Sequence, residues 1–477
     1  MDQQAINDLI RDFAEFGDFV GQFKIHEVSP VETIAAQRRS IQNGPTIYQK
    51  VCPFKIGIGA GCSFAYKGAM AADPFELNLR HLRALLAIAE KGSITAAAES
   101  VSLSQPALTQ GLAKLERQFG YSMFERRAGG MVPTPMGVIV IERTRAALDH
   151  LSNAAKGLSA VFQFPERLMT MTQLRAFLAL AEAGGFSAAA HTSGMSQTAV
   201  HRAVSDLEHM IGGQLVERRG RVIWLNAAGK RLARGARLAA TEITAAVADM
   251  GFDSGGEQIA FGALPLSRPY LVPTAMGSMT RTHPRAAFKV LEGSWKEMVE
   301  PLRDGEIDMI VGALRPFDIA DLYQMPLYED RLVIAAGSKH PLAGVEQPTL
   351  EQLAAYRWIV PPTNSPLREQ WERVFDGTTT PETPIECGSV MIISRLLTDG
   401  DFLTLLSPDQ VALQIRSGLL TQIGAPLDRS RRMMGITTRR SWRPTATQRH
   451  FLNCLEQAAA VMRQEFPQPE ERNSGWV

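Results

Sequence analysis

The sequence predicts a multidomain chain in which a small helical unit occurs twice and is followed by an α/β half. Residues 82–127 and 174–219 are one pattern repeated at an offset of 92 without a gap, with 20 of 46 positions identical. Residues 257–460 alternate strand-like and helix-like stretches, the mark of sheets covered by helices. A third observation is the charge. The net +1 hides two basic segments, 78–150 and 168–250, each with 9 Lys/Arg against 6 Asp/Glu, set between acidic flanks. A basic module beside an acidic one points to a polyanion partner for the former.

Length and composition exclude other classes. A chain of 477 residues suggests roughly three domains. Its 45% hydrophobic and 21% charged content is that of a globular protein. No apolar run is long enough to span a bilayer. The start, MDQQAINDLIRDFAEF, is acidic and amphipathic and does not read as a secretory signal. Cys52, Cys62, Cys387 and Cys454 form neither a disulfide framework nor a zinc spacing. The expected setting is cytoplasmic, with no cofactor and no metal site.

Each copy of the repeat reads as short helices. Leu82, Leu85, Leu86 and Ala89 fall at helical spacing, as do Leu174, Phe177, Leu178 and Ala181. Gly92 and Gly184 end that helix. The small-residue runs Ala96–Ala98 and Ala188–Ala190 suit a second helix that packs closely. After turns at 101–103 and 193–195, Ser104 and Ser196 are N-caps for a third helix, with Pro106 just inside it. That helix is expected to bury Ala107, Leu108, Leu112 and Leu115, or Ala199, Val200, Val204 and Leu207. Its other face shows Gln105, Thr109, Gln110 and Lys114, or Gln197, Thr198, His201 and Arg202. Hydrogen-bonding side chains on the first turns of a capped helix suit base edges in a major groove. Arg126 and Arg127, then Arg218, Arg219 and Arg221, lie in hairpin-like segments suited to phosphate. The expected DNA-binding set is therefore Ser104, Gln105, Pro106, Thr109, Gln110, Lys114, Arg126, Arg127, Ser196, Gln197, Thr198, His201, Arg202, Arg218, Arg219 and Arg221.

These residues resemble a known family. SQPALTQGLAKLERQFGYSMFERR followed by Thr-Pro-Met-Gly, and SQTAVHRAVSDLEHMIGGQLVERR followed by Asn-Ala-Ala-Gly, are similar to the winged helix-turn-helix of LysR-type transcriptional regulators. The family normally carries one such domain. The long segments 135–163 and 227–250 correspond to its linker helix, which in the family pairs with that of a second subunit. Here one chain supplies two, and the expectation is that they pair within the chain. The alternative is pairing between chains. Arg231, Arg234 and Arg237 recur near helical spacing there, facing either phosphate or solvent.

The last half opens with a strand at 258–263, a helix through about Thr282, a second strand at 287–291, a helix ending at Asp304–Gly305, and a third strand at 307–312. Parallel sheets are expected, with ligand beyond the strand carboxyl ends. GALPLSRPYLVP, DGEIDMIVGAL, MPLYEDRLVIAAGSKHPLAG and TLEQLAAYRWIVPP resemble the effector-binding half of the same regulators, and most resemble the subgroup named for regulators of galactose-binding proteins. The implied fold class is two all-α winged helix-turn-helix domains followed by a two-lobed α/β periplasmic-binding-protein-like effector domain. Lobe one would be 257–335 plus 424–460, and lobe two 336–423. Strand ends nominate Leu266, Ser267, Gly312, Ala313, Thr363, Asn364, Ser365 and Ser389 for the effector; the competing reading is that they are caps and turns. Cys387 beside Ser389 reads as a redox thiol or, better, as an inert one.

The expected organisation is an unassigned extension over 1–76, readers at 77–137 and 168–229, linker helices at 138–167 and 230–255, the effector domain at 256–465, and a tail. Residues 3–20 read as an amphipathic helix, and Met70 is an alternative start. The expected function is DNA-binding transcriptional regulation in response to a sugar, an organic acid or an aromatic acid. Expected partners are double-stranded DNA, a small-molecule effector, further copies of the chain in a dimer or tetramer, and RNA polymerase, with no membrane. The alternatives are a constitutive architectural DNA binder and an enzyme. Against the enzyme, there is no Gly-x-Ser-x-Gly, no phosphate loop and no His/Glu metal pair; Asp308 and His283 stand alone.

Overall fold

The computed structural model describes residues 73–159, 162–220, 222–251, 258–363, 365–427 and 430–465. The expectations for residues 3–20 and the tail lie outside the described residues.

Two helical units come first. In one, α1 (Leu79–Lys91), α2 (Ile94–Ser100) and α3 (Gln105–Phe119) lead into a hairpin of β1 (Phe124–Arg127) and β2 (Gly130–Pro133), then the long α4 (Pro135–Ala155). In the other, α5 (Met171–Ala183), α6 (Phe186–Ser193) and α7 (Gln197–Ile211) lead into β3 (Val216–Arg219), β4 (Val222–Leu225) and α8 (Ala227–Asp249). The units are therefore not all-α: each ends in an antiparallel pair. The first long helix begins at Pro135, where Thr134 accepts the Gly137 N–H (2.9 Å) as its cap. Gly92 and Gly184 end α1 and α5 at φ 64 and 63, a region open to glycine at no steric cost.

The same bonds recur at the 92-residue offset. Glu116 accepts from Met123 N and Glu208 from Leu215 N. Met131 N donates to Gly92 O, and Ile223 N to Gly184 O. Within the third helices Leu108, Gly111, Leu112 and Leu115, or Val200, Ala203, Val204 and Leu207, are buried. Ala107, expected inside, is exposed, and Ala199 is half-buried. Both lie at the edge of the buried stripe, beside fully buried Leu108 and Val200; Gly111 and Ala203, one turn on, fall within it.

α4 and α8 lie antiparallel along each other: residues 143 and 150–156 of one meet 242–249 and 231–235 of the other. Leu151, Ala155, Leu232, Ala236, Ala239 and Ala246 are buried within one apolar core that runs from Leu77 to Met250. Small side chains let the axes approach. A Cβ on Gly235 would overlap Ala154 Cβ and stand 2.8 Å from His150 O.

The α/β half holds two five-stranded sheets. Lobe one contains β5 (Gln258–Ala263), α9 (Leu271–Thr282), β6 (Ala287–Glu292), α10 (Trp295–Asp304), β7 (Met309–Ala313) and β8 (Leu322–Asp330). Returning to it late are β14 (Arg432–Arg439) and α15 (Ala446–Glu465), giving the order β6-β5-β7-β14-β8. Lobe two contains β9 (Val333–Gly337), α11 (Leu350–Ala354), β10 (Arg357–Val360), α12 (Pro366–Val374), β11 (Ile385–Glu386), α13 (Val390–Asp399), β12 (Phe402–Leu406), α14 (Pro408–Arg416) and β13 (Leu420–Ile423), in the order β11-β10-β12-β9-β13. The sheets are mixed, not parallel. β14 runs antiparallel to β7 and β8, and β9 to β12 and β13. Both antiparallel strands sit where the chain crosses between lobes, and each crossing reverses strand direction. The first crossing falls at Arg331–Leu332, so residues 333–335 belong to lobe two.

Candidate nucleic-acid interface and effector site

The expected base-reading residues share one surface in each helical unit. Ser104 and Ser196 cap α3 and α7 by accepting from Ala107 N and Ala199 N. From that anchor Gln105, Pro106, Thr109, Gln110 and Lys114 are all exposed, as are Gln197, Thr198, His201 and Arg202. Thr109 Oγ1 donates to Gln105 O (2.9 Å), His201 stacks at 4.9 Å on Phe186, and Thr198 Oγ1 lies 3.0 Å from Ser196 Oγ. Arg126, Arg127 and Arg218 are exposed on the hairpins. Arg127 pairs with Glu125 at 3.1 Å. Arg219 belongs to β3, and Arg221 lies outside the described residues. Sequence reasoning passed over Trp224, which is 55% exposed on β4 beside this basic strand; its place in the repeat, equivalent to that of exposed Val132 on β2, was the available signal.

The arginines of α8 do something other than face phosphate. Arg231 donates to Ala154 O and Lys156 O, closing the C-terminus of α4. Arg234 pairs with Asp304 (2.6 Å) and Glu300 (2.8 Å), and Arg237 donates to Asp304 O. These three fasten α8 to α4 and to lobe one, so neither expectation for them, phosphate or solvent, describes their role. The deepest charge in this region is Arg143, which the sequence reading missed. It bonds Glu242 (2.9 Å), Asp249 (2.6 Å) and Arg443 O (2.8 Å). A lone arginine on the inner face of an alanine-rich helix was the clue.

The effector candidates fall into two groups, each at the carboxyl ends of parallel strands. Leu266, Ser267, Gly312 and Ala313 adjoin β5 and β7. Ser267 is fully buried, and its hydroxyl bonds Leu264 O (3.0 Å) and Val311 O (2.8 Å). In lobe two, Thr363 follows β10 and donates to Glu386 (2.8 Å), Ser365 caps α12, and exposed Ser389 starts α13 without a capping bond. Asn364 lies outside the described residues. Cys387 is half-buried and its sulfur accepts from Ser389 N. Asp308 accepts from Ala260 N (3.1 Å) within lobe one. A cavity of about 430 Å³ opens elsewhere, where α4 meets the β14–α15 connection, lined by His150, Arg440, Trp442 and Arg443 among others.

A buried polar cluster joins the lobes. Ser407 Oγ donates to both oxygens of Asp330 (3.0 Å), which Arg432 also holds (2.6 Å). Tyr328 OH lies 3.5 Å from Asp409, and the Leu271 N–H of lobe one also bonds the Asp409 carboxyl. Burial, then the neighbouring Asp330 charge, pushes Asp409 up to about 8. Burial likewise pushes the Tyr328 phenol up. The lobes therefore meet through a carboxyl and a phenol that burial makes hold their protons more tightly than in water. Nothing in the local sequence marked these residues, since the cluster unites positions 81 residues apart.

Among the described residues no helix is long and apolar enough to cross a membrane, and no group of three His, Cys, Asp or Glu could hold a metal ion. A family model described as bacterial regulatory helix-turn-helix protein, lysR family, matches residues 79–138 and again 171–230, and one described as LysR substrate binding domain matches 253–460. The chain is 31% identical over 389 residues to the HTH-type transcriptional regulator GalR of Pseudomonas putida, covering 80% of this chain and 95% of that protein. It is 29% identical over 265 residues to a probable hydrogen peroxide-inducible genes activator of Mycobacterium leprae, covering 54% of this chain and 84% of that one. Among solved structures, ArgP from Mycobacterium tuberculosis matches with a TM-score of 0.50 at 18% identity, over 60% of this chain and 96% of that chain, a likeness of fold.

Proposed function

The chain belongs to the LysR family of DNA-binding transcriptional regulators and carries the family's effector-binding domain, and from that premise we propose that its two helical units are tandem winged helix-turn-helix readers governed by a small effector held between periplasmic-binding-protein-like lobes. In this reading α3 and α7 enter the major groove. Gln105, Thr109, Gln110, Gln197, His201 and Arg202 reach base edges, while Ser104, Lys114, Ser196 and the hairpin arginines position the readers on phosphate. The effector is a sugar or an organic or aromatic acid, which would bond the hydroxyls and helix-start N–H groups at Thr363, Ser365 and Ser389 and close against Leu266 and Ala313. Further copies of the chain join through the α/β half, where Met391 (84% exposed) and Ile392 stand out on α13. RNA polymerase is the downstream partner.

The observation that carries this reading is the pair of exposed polar helix faces held on equivalent scaffolds, each with the same serine cap and the same basic hairpin. Footprinting the full chain on selected DNA, beside Gln105→Ala and Arg126→Ala, tests it. Loss of sequence preference in the first and of affinity in the second is expected. Unchanged footprints in both would overturn the reading. Saturable binding of a candidate acid that alters the footprint supports regulation by effector; turnover of that acid would overturn it.

A further inference from the structure

We propose that this single chain contains a complete two-fold DNA reader built from unlike halves, and that its operator is a matching pair of unlike half-sites occupied by one chain. The inference rests on the reading of α3 and α7 as DNA-contacting helices.

The two-fold relation is visible in reciprocal contacts. In an isologous interface, if residue i of one half meets residue j of the other, then j of the first meets i of the second. At the 92-residue offset Arg143 corresponds to Gly235, and His150 to Glu242. Arg143 bonds Glu242, and Gly235 lies against His150 O. Likewise Arg83 corresponds to Arg175. Arg83 donates to Glu166 O and Arg167 O just ahead of α5, and Arg175 lies 4.0 Å from Asp73 just ahead of α1. Two independent reciprocal pairs, one along the long helices and one at the first helices, place the units about a pseudo-two-fold axis within one continuous core.

The same residues make the pairing a hetero-pairing. A first-with-first match would set Arg143 against His150 twice, with no acid between them. A second-with-second match would leave Glu242 facing Gly235, a buried carboxylate with no cation. Only first-with-second supplies Arg143 to Glu242 and Asp249.

The reading faces have diverged while the order of helices and hairpin in each unit has not. Thr109, Gln110 and Lys114 correspond to His201, Arg202 and Asp206, all exposed. Glutamine suits adenine, arginine makes a bidentate contact with guanine, and an acid accepts from cytosine N4. The second half-site therefore carries a G·C pair at the position Arg202 meets, where Gln110 of the first unit suits A·T. A symmetric dimer would enforce a palindrome; this reader has no such symmetry to impose.

The test is selection of binding sites from a random DNA pool by the full chain, with native mass spectrometry of the resulting complexes. Two unlike half-sites about one helical turn apart, or a multiple of that, and half as many chains as occupied half-sites are expected. The triple variant His201→Thr/Arg202→Gln/Asp206→Lys changes only exposed positions and should stay folded, its Tm lowered only by loss of the His201–Phe186 stack. It should change preference roughly tenfold or more at the second half-site alone, pushing selected sites toward a palindrome. Palindromic sites for the parent, one chain per half-site, or a change in both half-sites of the variant would each overturn the proposal. If Gln105→Ala and Arg126→Ala leave DNA binding untouched, the reading of α3 has failed instead. If they weaken it and the parent still selects palindromes, that reading stands and this inference falls.

Discussion

Arg143 and Glu242 meet at 2.9 Å between the two long helices, both nearly excluded from solvent. Their equivalents in the repeat, Gly235 and His150, meet at the other end of the same contact. One end is held by charge and the other by close approach, so the two copies stopped being interchangeable at this interface.

Removing one partner of a buried ion pair strands the other. Arg143→Ala removes the guanidinium that Glu242 and Asp249 share, and should cost about 3–5 kcal/mol. Chemical denaturation of the full chain measures it. Gly235→Leu should also destabilise the paired helices, because its side chain has nowhere to go against Ala154 and His150. A loss under about 1 kcal/mol for both variants would show that the two long helices contribute little to the fold.

Ser102 holds φ 53, and its equivalent Gly194 holds φ 69. A left-handed backbone costs a residue with a Cβ about 1–2 kcal/mol, offset in part by the greater freedom of glycine in the unfolded chain. Ser102→Gly should therefore raise stability by up to about 1 kcal/mol, and Gly194→Ser should lower it. Thermal unfolding of both variants checks the pair, and opposite signs from those stated would refute it.

Asp409 makes stability depend on pH. Its value in the folded chain, about 8, is above the ordinary value. Between the two, the folded protein keeps a proton that the unfolded chain has lost. The contribution is therefore complete below about pH 4 and is lost as pH climbs toward 8. Asp409→Asn, which stays neutral, should gain on the parent as pH rises, by at most roughly 1.4 kcal/mol per unit. Parallel stability curves from pH 5 to 8 would contradict the placement of this carboxyl.

Arg126→Ala should weaken DNA binding about equally for all sequences and reduce the slope of log K against log salt by about 1. Gln105→Ala should instead flatten preference at one base pair. Titrations at several salt concentrations separate the two, and an unchanged slope for Arg126→Ala would remove that hairpin from the interface.

Much of this molecule is legible along the chain because its signals are local. Ser104 and Ser196 read as caps from the residues beside them, and the exposed faces of α3 and α7 follow from helical spacing. The mistakes have the same origin. Ala107 was placed inside because periodicity does not say how wide an arc of the helix its neighbours cover. The sheets were expected to be parallel because strand pattern carries no direction, and the two crossings between lobes reverse it. Asp409 was silent because only folding surrounds it with Tyr328, Asp330 and Leu271.

The sequence by itself determined the duplication, the start and stop of the reader helices, the residues they display and the family. The tertiary structure alone decided that α4 pairs with α8 of the same chain, that Arg231, Arg234 and Arg237 fasten α8 to α4 and to lobe one, and that the lobes meet through the buried Asp409 carboxyl. The division follows the range of the forces. Caps, turns and periodicity act within a few residues, whereas Arg143 finds Asp249 across 106 positions. Such a contact depends on which surfaces fit and which charges would otherwise be buried alone.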